Sequence, residues 1–100
     1  MVSLGLLIRL PAKPGKEEDV AAFLRSAMPY VEQEPGTMAL FMIQISPSEY
    51  GIFNAFPDEA ARQAHMTGPA AEALFAQAGE LLSAAPQIEP VEILAAKLPA

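Results

Sequence analysis

The chain has no cysteine, no tryptophan and a single histidine. Without thiols there is no disulfide, no thiolate metal site and no cysteine nucleophile. That composition suits a reducing compartment. One histidine without cysteine leaves no basis for a structural zinc site, so no metal is expected. Positive charge is scarce as well. Six Lys and Arg face twelve Asp and Glu, a formal net charge of −6. That sign repels nucleic acid and anionic membrane surfaces, and the few cations are too scattered to track phosphates. Neither nucleic acid nor membrane is expected as a partner. No apolar run approaches the ~20 residues that span a bilayer. "MVSLGLLIRLPAK" at the N-terminus has an apolar stretch but no basic leader and no small-residue cleavage site after it. It does not read as a signal peptide, and a cytoplasmic protein is the expectation. "PGK" carries too few glycines for a nucleotide loop.

What the chain does have is apolar residues, at 52%, and ten prolines that punctuate it. A length of 100 residues predicts one domain over 1–100. Residues 2–10, "VSLGLLIRL", form a short apolar run stopped by Pro11, which predicts a strand. "PAKPGKEED" is a turn that leads acidic residues into the first turn of a helix, where the helix dipole favours them. Val20, Phe23, Leu24, Ala27 and Val31 then repeat as one apolar stripe. Pro29 lies inside that stripe and predicts a kink or break near Ala27–Met28. "EPGT" at 34–37 closes the element. Strands are predicted over 38–46 and 50–56, joined by a turn at "PSEY". "PDEAARQAHM" starts a short helix that Gly68-Pro69 breaks, and a further helix runs from 69 to Pro86 with Phe75 and Leu82 turned inward. Residues 88–96 make a last strand, and Pro90 predicts an edge position.

The order β-α-β-β-α-β predicts an α+β, ferredoxin-like fold with a four-stranded antiparallel sheet and its helices on one face. An antiparallel sheet with one wet face alternates apolar and polar residues. These strands do not. The second places Met38, Leu40 and Met42 on one side and Ala39, Phe41, Ile43 and Ile45 on the other. The first places Leu4, Leu6, Ile8 and Leu10 opposite Gly5 and Leu7. A second copy of the same sheet is the simplest cover for the surplus face, so a homodimer through the sheet faces is expected.

The element order together with "PGKEEDVAAFL", "EPGT" and "FPDEAARQAH" resembles the antibiotic biosynthesis monooxygenase domain of the dimeric α+β barrel superfamily, over nearly the whole chain. The resemblance implies a barrel-forming homodimer with a pocket between sheet and helices in each subunit. It implies oxidation of a quinol-like or polyphenolic small molecule by molecular oxygen, with neither metal nor flavin as cofactor. Other members are small proteins of no demonstrated activity, so the alternative expectation is a non-catalytic homodimer that binds a small apolar ligand or serves as an interaction module, and the isomerase chemistry of related barrels is a third. Two departures stand out. Many active relatives carry Trp where this chain has Phe56, and an acidic residue where it has Asn54. The haem-degrading branch needs an Asn and an axial His at positions filled here by Ile8 and Phe75, which argues against haem.

Each candidate site residue has two readings. His65 is either the general base that takes a phenolic proton or a helix-terminal histidine that complements the dipole. Asn54, flanked by Phe53 and Ala55, either holds a substrate hydroxyl or carbonyl or is satisfied by a neighbour. By strand alternation it shares a face with Ile52 and Phe56. Arg9 either stabilises an anionic substrate or pairs at a strand end. Phe23, Phe56 and Phe75 are either core filling or the walls of a pocket for an aromatic substrate, alongside soft methionines such as Met42 and Met66. Tyr30 and Tyr50 read as rim residues at element ends. The expected constellation is His65 and Asn54 as catalytic residues, with Arg9, Phe56, Phe75 and Phe23 binding the substrate.

Overall fold

The computed structural model describes residues 1–99. Its elements run β1 (Leu4–Pro11), α1 (Glu17–Glu32), β2 (Ala39–Ser46), β3 (Glu49–Phe56), α2 (Glu59–Met66), α3 (Pro69–Leu81) and β4 (Gln87–Glu92). The sheet order is β2-β3-β1-β4, and all neighbours are antiparallel. β1 and β2 therefore run parallel to each other with β3 between them, the split βαβ of the ferredoxin-like fold. β4 is an edge strand, as Pro90 predicted, because an edge has a side that needs no donor.

Local chemistry accounts for most element ends. Gly15 adopts φ 84°, the left-handed region that glycine enters at least cost, and its N–H donates to Glu17 Oε1 at 3.0 Å. Asp58 caps α2 by accepting from the Ala61 N–H at 2.9 Å. Arg62 hydrogen-bonds Glu59 and reaches the Gly5 carbonyl at 3.2 Å, tying α2 to β1. The Arg62 hydrogen bond, followed by that from Gln63, holds the Glu59 carboxyl below its usual range.

Several sequence expectations are corrected. α1 runs unbroken through Pro29 to Glu32. The proline falls in the last turn on the exposed side, so the Arg25 carbonyl that loses its donor faces water. α3 stops at Leu81, short of the expected 85, because Leu82 pairs with Ala12 and the Ser83 N–H donates to the Pro11 carbonyl at 2.9 Å. β4 stops at Glu92 rather than 96. One further bond, Ile93 N–H to Ser3 O at 2.9 Å, ends the pairing where β1 begins. Tyr50 is buried in the core rather than at a rim, and Phe75 is 48% exposed rather than turned inward.

Register assigns the faces. Leu6, Asn54 and Leu40 align across three strands, as do Ile8, Ile52 and Met42. This side carries the core of Leu6, Ile8, Leu10, Ile52 and Phe56 with Val20 and Leu24 of α1 and Leu74 of α3. The other side carries Leu7, Phe53 and Phe41 in one row, with Ile43 opposite Gly51. Among the described residues nothing covers it: Phe41, Ile43 and Ile45 are exposed by 58, 45 and 43%.

The turn after α1 is pinned at both ends. Glu34 N–H donates to Val31 O at 2.9 Å, and Met38 N–H donates to Ala55 O at 3.0 Å. Between them Gly36 is pressed onto α2, where an added Cβ would lie 2.6 Å from Ala61 Cβ and 3.2 Å from its Cα. Gly36→Ala is expected to force turn and helix apart and destabilise the fold by about 1–3 kcal/mol. Ala61→Gly should restore part of that loss in the double variant. Urea unfolding of the two single variants and the double measures both effects, and equal stability of wild type and Gly36→Ala would refute the contact.

Candidate active site between sheet and helices

A cleft opens between the helical layer and the sheet. β1, β2 and β3 supply its floor through Ile8, Leu40, Met42 and Ile52. α1 supplies Phe23, Leu24 and Val31, and α2 with α3 supply His65, Met66, Leu74 and Phe75. His65 is the only polar side chain in the lining. The closed cleft leaves about 30 Å³ of space, room for one water. Benzene-sized ligands occupy cavities of about 150 Å³. An aromatic ligand must therefore displace side chains, and the half-exposed Phe75 and the flexible Met66 are the ones built to give way.

His65 sits in the last turn of α2, where its position complements the helix dipole. It is nevertheless 5% exposed, and a buried imidazole needs a partner. Glu34 provides it: Nδ1 and Glu34 Oε1 are 2.6 Å apart. The same Oε1 accepts the Thr37 hydroxyl at 2.7 Å. The ring also packs against Phe56, with centroids 5.5 Å apart and planes inclined at 45°. A buried histidine held by a carboxylate beside an apolar cleft can exchange a proton with a hydroxyl brought to it.

The expected constellation is partly assembled. His65, Phe23 and Phe75 line one cleft, and Phe56, fully buried, backs the imidazole. Asn54 lies on the same sheet face, aligned with Leu6 and Leu40, but does not reach the lining. It is 0% exposed, and neither Oδ1 nor Nδ2 finds a hydrogen-bond partner among the described residues. Arg9 is on the opposite face of the sheet, 3.9 Å from Glu89 across β1 and β4. Strand alternation puts it one residue out of phase with Ile8, so it cannot meet a ligand in this cleft. Sequence reasoning missed Glu34, which is 31 positions from His65. "EPGT" marked the turn, and only a Glu three residues before a Thr hinted that its side chain was held locally. No cluster of metal-ligating side chains occurs among the described residues, and no helix there is long and apolar enough to cross a membrane.

Comparison with known proteins places this geometry in context. The family described as antibiotic biosynthesis monooxygenase matches residues 3–77. No curated protein matches the chain. A solved structure of a Nitrosomonas europaea protein of unknown function is 55% identical, with a TM-score of 0.98, covering 100% of this chain and 97% of that one. A Mycobacterium tuberculosis protein shares the fold at 19% identity and a TM-score of 0.83, covering 94% and 97%. A candidate antibiotic biosynthesis monooxygenase from Caulobacter crescentus does so at 18% identity and a TM-score of 0.81, covering 94% and 92%.

The unpartnered carboxamide leads to a stability test. Replacing a buried polar group that makes no hydrogen bond with an apolar one of similar shape is neutral or stabilising. Asn54→Leu is expected to stabilise the fold by about 1–2 kcal/mol in chemical denaturation. A loss of that size would show instead that the amide is satisfied.

Proposed function

Because the chain belongs to the antibiotic biosynthesis monooxygenase family, we propose that it oxidises a quinol-like or polyphenolic small molecule with molecular oxygen in the cleft between sheet and helices. The observation that carries this reading is an apolar cleft with one polar lining group, a histidine held by a carboxylate. The surroundings favour a flat aromatic body, and the imidazole selects for an acidic hydroxyl at its edge. His65 takes the phenolic proton. The electron-rich ring then gives one electron to oxygen, and the substrate radical and superoxide combine into a peroxide. The peroxide takes the proton back from His65 and leaves as water with the hydrogen of the attacked carbon, so a quinone remains, with one oxygen atom in the new carbonyl and the other in water. The protein contributes position, exclusion of water and a base. Asn54 lies deeper on the same face and would meet a hydroxyl or carbonyl of a ligand that opens the cleft. Its unpartnered donor and acceptor support that role.

The working unit in this reading is a homodimer joined through the open sheet faces. A contiguous patch of Leu7, Phe41, Ile43, Ile45 and Phe53 is the kind of surface that monomers rarely leave in water, and a two-fold partner presents the matching patch.

Oxygen uptake by metal-stripped protein with a panel of quinols tests the activity. His65→Ala should slow turnover by about 10²–10⁴-fold, the range for loss of a general base. A panel without any uptake would favour a ligand-binding module of the same fold. Sedimentation should give a dimer, and Phe41→Asp, a charge at the most exposed side chain of the patch, should give a monomer. A wild-type monomer would refute the sheet-to-sheet assembly.

A further inference from the structure

Among the described residues Glu34 is the one charged side chain that hydrogen-bonds His65, and how it does so distinguishes the two ring nitrogens. His65 lines two spaces. One is the apolar cleft, and the other is a groove on the outside between the 34–37 turn and α2. Glu34 lines only the groove. The carboxylate therefore reaches the imidazole from the groove side, at Nδ1. A carboxylate only accepts hydrogen bonds, so the 2.6 Å contact requires the proton on Nδ1. Nε2, which has no hydrogen-bond partner among the described residues, then carries the lone pair of the neutral ring. The carboxylate is itself held in place. Its Oε1 takes the Thr37 hydroxyl at 2.7 Å, and the Thr37 N–H donates to the Glu34 carbonyl at 3.3 Å. Its side chain is 14% exposed, so water competes little for the contact.

We propose that Glu34 is a positioning residue for His65. It holds the Nδ1–H tautomer, so that the Nε2 lone pair faces the cleft, and it stabilises the imidazolium formed when Nε2 takes a proton from a ligand hydroxyl. In that step the ligand O–H bond breaks, the electron pair stays on oxygen, and the Nδ1 proton does not move. The role in turnover rests on the reading of His65 as base. The tautomer itself does not.

The single histidine makes the test direct, because labelling histidine with nitrogen-15 leaves one imidazole in the spectrum. At a pH where the ring is neutral, the wild-type protein should show Nδ1 protonated and Nε2 bare. Glu34→Gln keeps the side-chain volume but offers an amide N–H to the ring, so the Nε2–H tautomer should appear or dominate. With a substrate in hand, kcat of Glu34→Gln should fall by up to about 10⁴-fold, the effect of replacing by its amide the carboxylate that holds the tautomer of a catalytic histidine. KM should stay nearly unchanged, because the interaction acts on the chemical step. Glu34→Asp, which restores the carboxylate, should recover part of the rate and the wild-type tautomer, and it serves if Glu34→Gln folds poorly. A wild-type ring protonated on Nε2 would overturn the proposal. So would Glu34→Gln with an unchanged tautomer, or with a shifted tautomer and an undiminished kcat. If no substrate is turned over, the oxygenase reading fails while the tautomer still decides the role of Glu34.

Discussion

The contact between Glu34 and His65 joins three parts of the fold that the chain separates. Glu34 belongs to the turn that carries α1 into β2, and His65 ends α2. Phe56, at the end of β3, packs against the imidazole. A buried imidazole without a partner costs free energy, on the order of 1–3 kcal/mol for an unsatisfied polar group. The pair therefore fixes where α2 sits over the sheet, and with it the wall of the cleft. Gly36 makes the approach possible, since no larger residue fits between the turn and Ala61. The arrangement is local in space and distant in sequence, and the site exists only because the turn and the helix are both seated.

The sheet sets the second constraint. Both its faces are apolar, and the helices can cover only one. The covered face holds the core and the floor of the cleft, with Phe56, Leu6 and Leu10 among its most buried side chains. One polar side chain, Asn54, is buried in that face without a partner, a cost a stable core would shed. Natural sequences break such rules mostly where a site needs them. The uncovered face carries large apolar side chains at positions that point away from every helix, and Arg9 of the inner strand β1 pairs beside them with Glu89 of the edge strand β4. The same strands thus build a cleft on one side and an uncovered apolar face on the other, and period-two alternation keeps the two apart.

The fold was largely legible because its signals are local. Proline and glycine marked the element ends, the 3.6-residue stripe from Val20 to Val31 marked α1, and paired apolar runs marked the strands. Errors fell where a distant contact decides an end. α3 gives up its last turn because Leu82 is drawn into pairing with Ala12, and β4 stops where β1 has no further residue to offer. Pro29 reads in the sequence as a kink or a break, and the helix is not broken there because the proline falls on its exposed side. Tyr50 was placed at a rim because it ends a strand, although its ring points into the core.

The candidate site was legible in part. Its histidine stands out by being alone, and strand alternation puts Asn54 and Phe56 on one face. Arg9 was selected as the lone charge of its strand, yet the same alternation carries it to the far side of the sheet. The sequence by itself determined the order of elements, the surplus apolar face and the residue types available for chemistry, since each follows from spacing along the chain. Only the tertiary structure decided that Glu34 is the partner of His65, that Asn54 is buried unpaired, and that Phe75 stands at the mouth of the cleft. Those are contacts across tens of residues, and no local periodicity encodes which side chains the packed layers bring together.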